Sequence, residues 1–118
     1  MHRVLLVAIV TCFAASVALA QDPVKVDPTH YKVEFENSQV RVLRIHYGPH
    51  EKSVMHAHPN SVVTFLTDID IKFTTPDEKS TEQHGKAGEV HWSEPGTHLP
   101  ENLSDKPFEA TLVELKGK

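Results

Sequence analysis

Short apolar runs separated by turn-forming residues are the feature of this sequence that most limits its fold. The runs recur roughly every 8 to 12 residues, the spacing of an all-β sandwich or barrel. Tyr31, Val33 and Phe35 alternate with charged residues, which is typical of a half-buried strand. Eight prolines divide the chain too finely for long helices. The sequence therefore predicts an all-β domain, with strands at 31–36, 40–47, 61–67, 69–73, 81–84, 89–93 and 108–115.

The first twenty residues have the pattern of a secretory signal peptide. Arg3 gives a positively charged start, an apolar run follows, and Ala18-Leu19-Ala20 supplies an Ala-x-Ala cleavage pattern. The apolar run falls short of the roughly 20 residues that a membrane-spanning helix needs. We expect cleavage after Ala20, a periplasmic or secreted protein, and one domain over residues 21–118 that has no membrane span.

Cysteine and charge exclude several other classes of protein. Cys12 is the only cysteine of the chain and lies inside the expected signal peptide, so the mature domain has no thiol. A lipoprotein signal before Cys12 fits less well, because Thr11 is large for the position preceding a lipidated cysteine. A net charge of −4 provides no basic face for nucleic acid. A small domain without disulfides must rely on its core or on a second subunit.

Histidine is unusually frequent, with nine in the chain, and two of them form His56-Ala57-His58. On a strand, side chains two residues apart face the same side, so both imidazoles can bind one ion at about 2.0–2.1 Å. An isolated pair of this kind is more often polar surface. His98, however, follows the Glu94-Pro95-Gly96 turn, where an adjacent strand could bring it alongside. The three histidines predict a metal site with one side open to water or substrate.

At these residues the sequence resembles the cupin superfamily of small jelly-roll barrels. The matching residues are Gly48, His56 and His58 for the first cupin motif and Gly88, Gly96, His98 and Asn102 for the second. The glutamate that the family places shortly after the second histidine is absent, and Val62 and Val63 stand there. The resemblance implies a single cupin-type jelly-roll β-barrel that binds a metal through three histidines, unless Glu51, Glu94 or Glu101 reaches in from a loop. Because related single-domain cupins commonly dimerise, it also implies a homodimer.

The expected cofactor is one divalent transition metal. Three neutral imidazoles leave the full charge on the ion, which favours anionic ligands and lowers the pKa of bound water. An all-nitrogen site suits Zn, Fe, Ni or Cu better than Mg or Ca, and the sequence does not rank those four metals. Three functions stay open: a metalloenzyme with oxygenase-like or water-activating chemistry on a small molecule, a non-catalytic module that binds a metal or small ligand, and a degenerate structural cupin.

Four further residues are candidates for lining the pocket or supporting the ligands: His50, His91, Tyr47 and Glu101. His91 alternates with Val90 and Trp92, so it points outward if those two belong to the core. Trp92 is expected to be a core aromatic residue. His30 and His84, at a strand entry and a turn, are expected to be solvated.

Overall fold

The computed structural model describes residues 21–117, and the expected signal peptide lies outside the described residues. Those residues form one short helix and nine strands: α1 (Pro23–Val26), β1 (Tyr31–Glu36), β2 (Val40–Tyr47), β3 (His56–His58), β4 (Ser61–Phe65), β5 (Ile69–Thr74), β6 (Ser80–Gly85), β7 (Val90–Ser93), β8 (Gly96–Asn102) and β9 (Phe108–Leu115). The all-β expectation is confirmed. Within this part of the chain, no helix has the length and apolar character needed to cross a membrane.

The strands form two antiparallel sheets. One sheet has the order β1-β2-β9-β4-β7 and the other has the order β3-β8-β5-β6. The predicted jelly-roll fold is confirmed. Within the described residues no ladder joins the two sheets, so the jelly roll is a two-sheet sandwich that is not closed into a continuous barrel. A β-bulge between Val33 and Phe35 interrupts the edge strand β1, and β7 at the other edge has only four residues. Bulged and short edge strands end pairing, which is why the sheet stays open.

The core lies between the two sheets and follows from alternation along the strands. In β9, Phe108, Ala110 and Leu112 are buried, while Glu109 and Thr111 point outward. The buried apolar set comprises Tyr31, Leu43, Ile45, Tyr47, Phe65, Ile69, Ile71, Phe108, Ala110 and Leu112. The alternation therefore defines an inner and an outer face of the five-stranded sheet, and the histidine group lies on the inner side.

The short strand β3 is held along both of its edges. On one edge it pairs with β8, which places His56 opposite His98. On the other edge the Ala57 N–H donates a 2.9 Å hydrogen bond to the Gln21 carbonyl. The helix α1 follows at once, capped by Asp22, whose side chain accepts from the backbone N–H two residues on. The N-terminal segment thus fixes the strand that carries two of the three histidines.

Candidate metal centre

Three histidine side chains meet between the sheets. His56 and His58 lie on one face of β3, and His98 lies across from His56 on β8. The ring centroids are 4.8 Å apart for His56 and His58, 5.0 Å for His56 and His98, and 5.3 Å for His58 and His98. One ring nitrogen of each residue lies within 4.8 Å of the corresponding nitrogens of the other two. The group is compact enough for all three imidazoles to bind the same ion.

Two of these imidazoles place a buried nitrogen without a partner inside the group. Among the described residues, Nε2 of His56 and Nε2 of His98 accept no hydrogen bond. Leaving a buried polar atom unpaired costs about 1–3 kcal/mol. The Nδ1 of His56 lies 2.9 Å from the Val54 carbonyl, which can only accept, so Nδ1 carries the proton and Nε2 the lone pair. A metal ion bound to both Nε2 atoms would supply the missing partner, so these residues fit a metal.

A buried carboxylate orients the third imidazole. The Nδ1 of His58 donates to Glu114 Oε2 at 2.8 Å, which leaves the Nε2 lone pair of His58 for a metal. Glu114 is 3% exposed and also accepts from the Arg41 Nε at 2.7 Å. Burial raises the pKa of Glu114, but the hydrogen bonds from His58 and Arg41 lower it more, so that its pKa lies below the ordinary value. Arg41 is fixed in turn by a bidentate pair with Asp22, both bonds being 2.9 Å.

Sequence reasoning missed Glu114, although a signal for it exists. Phe108, Ala110, Leu112 and Glu114 share the inner face of β9, so an acidic residue continues a run of buried apolar positions. Carboxylates are almost never fully buried unless they are paired. An acidic residue at an inner position therefore predicts a buried cationic or hydrogen-bond-donating partner.

Burial keeps His56 and His98 neutral. It lowers the pKa of His56 to about 4, with His58 nearby lowering it further. The pKa of His98 is lowered to about 3 by burial and then by the charges of His58 and His56. Neutral imidazole is the form that binds a metal ion. At neutral pH His56 and His98 are therefore already in their ligating protonation state.

A second hydrogen-bonded group lies behind His56. Asp27 Oδ2 accepts two hydrogen bonds, one from Ser53 Oγ at 2.5 Å and one from His30 Nδ1 at 2.7 Å. His30 is buried and its ring stacks on Tyr47 with centroids 4.2 Å apart. The expectation that His30 is solvated is thus wrong, because Asp27, three residues earlier, supplies a buried partner. His84, by contrast, is exposed.

The histidine group opens onto a cavity of about 120 Å³ between the sheets. Both His58 and His98 line it. Its apolar walls include Val63, Phe65, Ile71, Phe73, Phe108 and Leu112, and its polar lining includes Gln83, His91 and Ser93. Within the described part of the chain, neither lysine nor arginine contributes to this lining. The cavity is therefore mainly apolar, with the imidazoles at one side.

His91 faces the cavity, whereas the sequence favoured an outward orientation if Val90 and Trp92 belonged to the core. In the pairing of β4 with β7 it lies opposite Val63, an inner residue, and its ring is 5.3 Å from that of Phe65. Val90 and Trp92 alternate with it on the outer face and are 60% and 52% exposed, and Trp92, on the edge strand, also borders the cavity. The apolar residues of β7 thus face away from the core, and the histidine faces the cavity.

The other three candidate residues, Tyr47, His50 and Glu101, differ in how close they lie to the cavity. Tyr47 is fully buried in the core, and its hydroxyl is 2.6 Å from that of Tyr31, which lines the cavity. His50 is exposed in a turn and pairs with Asp105 at 2.6 Å. Glu101 pairs with Lys72 at 3.3 Å. Neither His50 nor Glu101 lines the cavity.

No carboxylate joins the three histidines among the described residues. Glu51 contacts His30 at 3.2 Å, and Glu94 accepts a 2.9 Å hydrogen bond from the indole N–H of Trp92. A second group of ligand-type side chains is formed by Asp70, Glu82 and His84. It lies on β5 and β6, mostly exposed, and the imidazole there is already paired with both carboxylates.

Several solved structures share this two-sheet architecture. A cupin domain from Bordetella pertussis Tohama I superposes with a TM-score of 0.69 at 25% identity, over 74% of this chain and 92% of that one. An RmlC-like cupin family protein with a double-stranded β-helix fold from Methanocaldococcus jannaschii gives 0.58 at 14% identity, over 72% and 77% of the two chains. A conserved protein with a double-stranded β-helix domain from Klebsiella pneumoniae gives 0.56 at 22% identity, over 75% and 84%. No protein-family model and no curated protein sequence matches the chain.

Proposed function

We propose that this chain, which belongs by its fold to the cupin superfamily, binds one divalent transition metal ion through His56, His58 and His98 and uses it to hold a small molecule. The observation that carries the proposal is the pair of buried Nε2 atoms, on His56 and His98, that have no partner among the described residues. A structural cupin without a ligand would gain stability by replacing them with apolar side chains. Retaining them favours a bound ion.

The residues around the ligands determine how tightly such an ion is held. Glu114 accepts the Nδ1 proton of His58, and the Val54 carbonyl accepts that of His56. Both contacts fix the ring orientation and make the ligating nitrogens more basic. When bound, the ion would supply Lewis acidity, which polarises a coordinated oxygen and lowers the pKa of bound water.

The cavity limits the class of ligand. Its volume of about 120 Å³ admits only a small molecule, and its apolar walls match an apolar body. Because no lysine or arginine of the described chain lines it, only the ion and His91, the one lining histidine that is not a proposed ligand, can balance a negative charge on the ligand. We infer a small, mainly apolar ligand that has one neutral or anionic donor group directed at the metal.

A metalloenzyme is the first candidate, and a non-catalytic binding module is the second. His91 favours the enzyme, because it is a titratable group that faces the same cavity as His58 and His98. A histidine in that place can exchange a proton with a bound molecule. The apolar character of the cavity favours simple binding, because apolar walls retain a ligand without reacting with it.

Export is part of the same proposal. The charged start, apolar run and small residues of positions 1–20 support a signal peptide. The functional protein would then be the domain that begins at Gln21, acting in the periplasm or outside the cell.

Elemental analysis of the protein purified from that compartment, without added metal, tests the proposal. We expect close to one transition metal ion per chain in the wild type and in the control variant His84→Ala, and a large loss in His56→Ala. A wild type that is free of metal and does not take up Zn²⁺, Ni²⁺, Cu²⁺ or Fe²⁺ would overturn the proposal. So would unchanged metal content in His56→Ala.

A further inference from the structure

A short N-terminal segment packs around the strand that carries two of the three histidines. Residues 21–27, which contain α1, are called the N-terminal clamp. Pro23 of the clamp is fully buried, and Val24 packs against the apolar core. The clamp is therefore anchored to the body of the domain.

Asp22 of the clamp is connected to His58 through two other charged side chains. Its two carboxylate oxygens accept hydrogen bonds of 2.9 Å each from the guanidinium of Arg41. The Nε of Arg41 donates to Glu114 Oε1 at 2.7 Å, and Glu114 Oε2 accepts from His58 Nδ1 at 2.8 Å. A bidentate pair fixes the plane of the guanidinium as well as its position. The acceptor of the His58 proton is therefore held by Arg41, and Arg41 is held by Asp22.

The clamp also supports the other two residues of β3. The Gln21 carbonyl accepts a 2.9 Å hydrogen bond from the N–H of Ala57, which lies between the two ligands. At the other end of the clamp, Asp27 Oδ2 accepts from Ser53 Oγ at 2.5 Å, and that hydroxyl lies 3.4 Å from His56 Nδ1. Each residue of β3 is thus supported by the clamp, either directly or through intervening side chains.

The strand β3 has little other support. It is three residues long, and within the described part of the chain its ladder joins it to β8 alone. A pair of short strands without further neighbours is marginally stable in water. The arrangement that places His56 and His58 beside His98 therefore depends on what covers the second edge of β3.

We propose that the N-terminal clamp sets the metal affinity of the three histidines, with Asp22 as a positioning residue. This inference rests on the proposed metal binding. The docked clamp holds β3 and the His58 ring in the ligating arrangement, which is only partly populated when the clamp is undocked. The apparent affinity falls with the fraction of chains that are competent to bind. Because such coupling is reciprocal, a bound ion also stabilises the docked clamp.

Asp22 has two roles that one substitution can separate. Its Oδ1 caps α1 by accepting from the Val24 N–H at 3.0 Å, and its carboxylate pairs with Arg41. Asparagine caps a helix as well as aspartate does, but it has no charge and only one acceptor oxygen. Asp22→Asn therefore keeps the cap and removes the bidentate ion pair. The matched control is Glu34→Gln, which neutralises an exposed ion pair with Arg44 that includes no residue supporting the histidines.

Calorimetric Zn²⁺ titration of the domain measures the effect of the clamp on the ion. Asp22→Asn should lower the Zn²⁺ affinity about three- to tenfold, less than the loss of a group that contacts a ligand directly, because Asp22 acts through two side chains. Glu34→Gln should bind Zn²⁺ as the wild type does. Wild-type affinity in Asp22→Asn would overturn the proposal, and so would an equal loss in Glu34→Gln.

Amide hydrogen exchange measures the effect of the ion on the clamp, which a role in stability alone would not produce. The N–H groups of Val26 and Asp27 are hydrogen-bonded within the clamp. Saturating Zn²⁺ should slow their exchange in the wild type at least about threefold. The control is the Glu78 N–H, which donates to the Thr75 carbonyl in an exposed turn and should exchange equally with and without Zn²⁺. Unchanged exchange at Val26 and Asp27 would overturn the proposal.

The metal-free protein distinguishes failure of the clamp from failure of metal binding. Without an ion, the Ala57 N–H should exchange at least about threefold faster in Asp22→Asn than in the wild type, because its acceptor belongs to the clamp. Equal exchange in the two proteins would overturn the hold of the clamp on β3 even where Zn²⁺ binds. A wild type that takes up no transition metal would overturn the proposed function and the effect of the clamp on affinity, whereas faster Ala57 exchange in Asp22→Asn would still show that the clamp holds β3.

Discussion

His56 and His98 lie directly opposite each other on the antiparallel strands β3 and β8, with ring centroids 5.0 Å apart. Because side chains alternate along a strand, a slip of one residue in this register would turn His98 to the other face of the sheet. The pairing of a three-residue strand with its neighbour therefore determines whether a metal site exists. The contact of β3 with Gln21 on its other edge holds that register.

The carboxylate behind His58 should strengthen metal binding. Glu114→Gln replaces a charged acceptor of the His58 Nδ1 proton with a neutral one, so the imidazole becomes a weaker ligand. We expect the affinity for Zn²⁺ to fall about 10–100-fold, measured by calorimetric titration. The control is Glu109→Gln, on the outer face of the same strand, which should bind Zn²⁺ as the wild type does. Equal Zn²⁺ affinities of Glu114→Gln and Glu109→Gln would show that Glu114 does not strengthen metal binding.

The stability of the metal-free protein should depend on pH through the buried imidazoles. His56 has a pKa of about 4 and His98 of about 3 in the folded state, whereas an unfolded histidine has a pKa of about 6.5. Between these values the unfolded chain binds more protons than the folded chain, so the free energy of unfolding falls as the pH decreases below about 6.5.

Urea unfolding across that range measures the dependence. His98→Gln removes one of the two groups, so its free energy of unfolding should change less with pH than that of the wild type. The remaining carboxylates are common to both proteins and cancel in the comparison. If the free energy of unfolding changed with pH equally in the two proteins, His98 would not be held neutral by the fold.

The core should respond strongly to loss of volume. Leu43 is completely buried between the sheets. Leu43→Ala should lower the free energy of unfolding by about 2–5 kcal/mol in urea titrations, because it removes buried methyl groups and leaves a cavity. Lys79→Ala, at an exposed turn, should change it by less than about 0.5 kcal/mol. A small effect of Leu43→Ala would contradict the packing described.

The chain should lose its first twenty residues on export. The intact mass of protein recovered from the periplasm or medium should correspond to a chain that begins at Gln21, with or without cyclisation to pyroglutamate. Met1 retained on a cytoplasmic protein would contradict both the signal peptide and the proposed compartment.

The strands could be predicted from the sequence because their signal is local. Alternation in β1 and β9 and turn residues between runs placed seven strands, with ends shifted by at most two residues. β8 was not predicted, because Gly96–Asn102 contains Pro100 and lacks a clear apolar alternation. The open sandwich could not be predicted either, since it depends on whether distant edge strands pair.

The site residues could be predicted where they share one strand or match a motif of the resembling family. The shared face of His56 and His58 follows from strand geometry, and the second cupin motif supplied His98. The role of Glu114 was not predictable in the same way, since its partner lies 56 residues away along the chain. The sequence favoured an outward-pointing His91, because Trp92 was expected to be buried. Trp92 is instead about half exposed, and His91 faces the cavity.

The central claim is that His56, His58 and His98 together bind one metal ion, and a calorimetric Zn²⁺ titration of His98→Ala tests it most directly. The account predicts one site per chain in the wild type and an affinity at least about 100-fold lower in His98→Ala. Loss of a metal ligand should cost more affinity than loss of the hydrogen-bond partner that orients a ligand. His84→Ala, which alters the exposed group on β5 and β6, should bind as the wild type does. Wild-type stoichiometry and affinity in His98→Ala would contradict the three-histidine site.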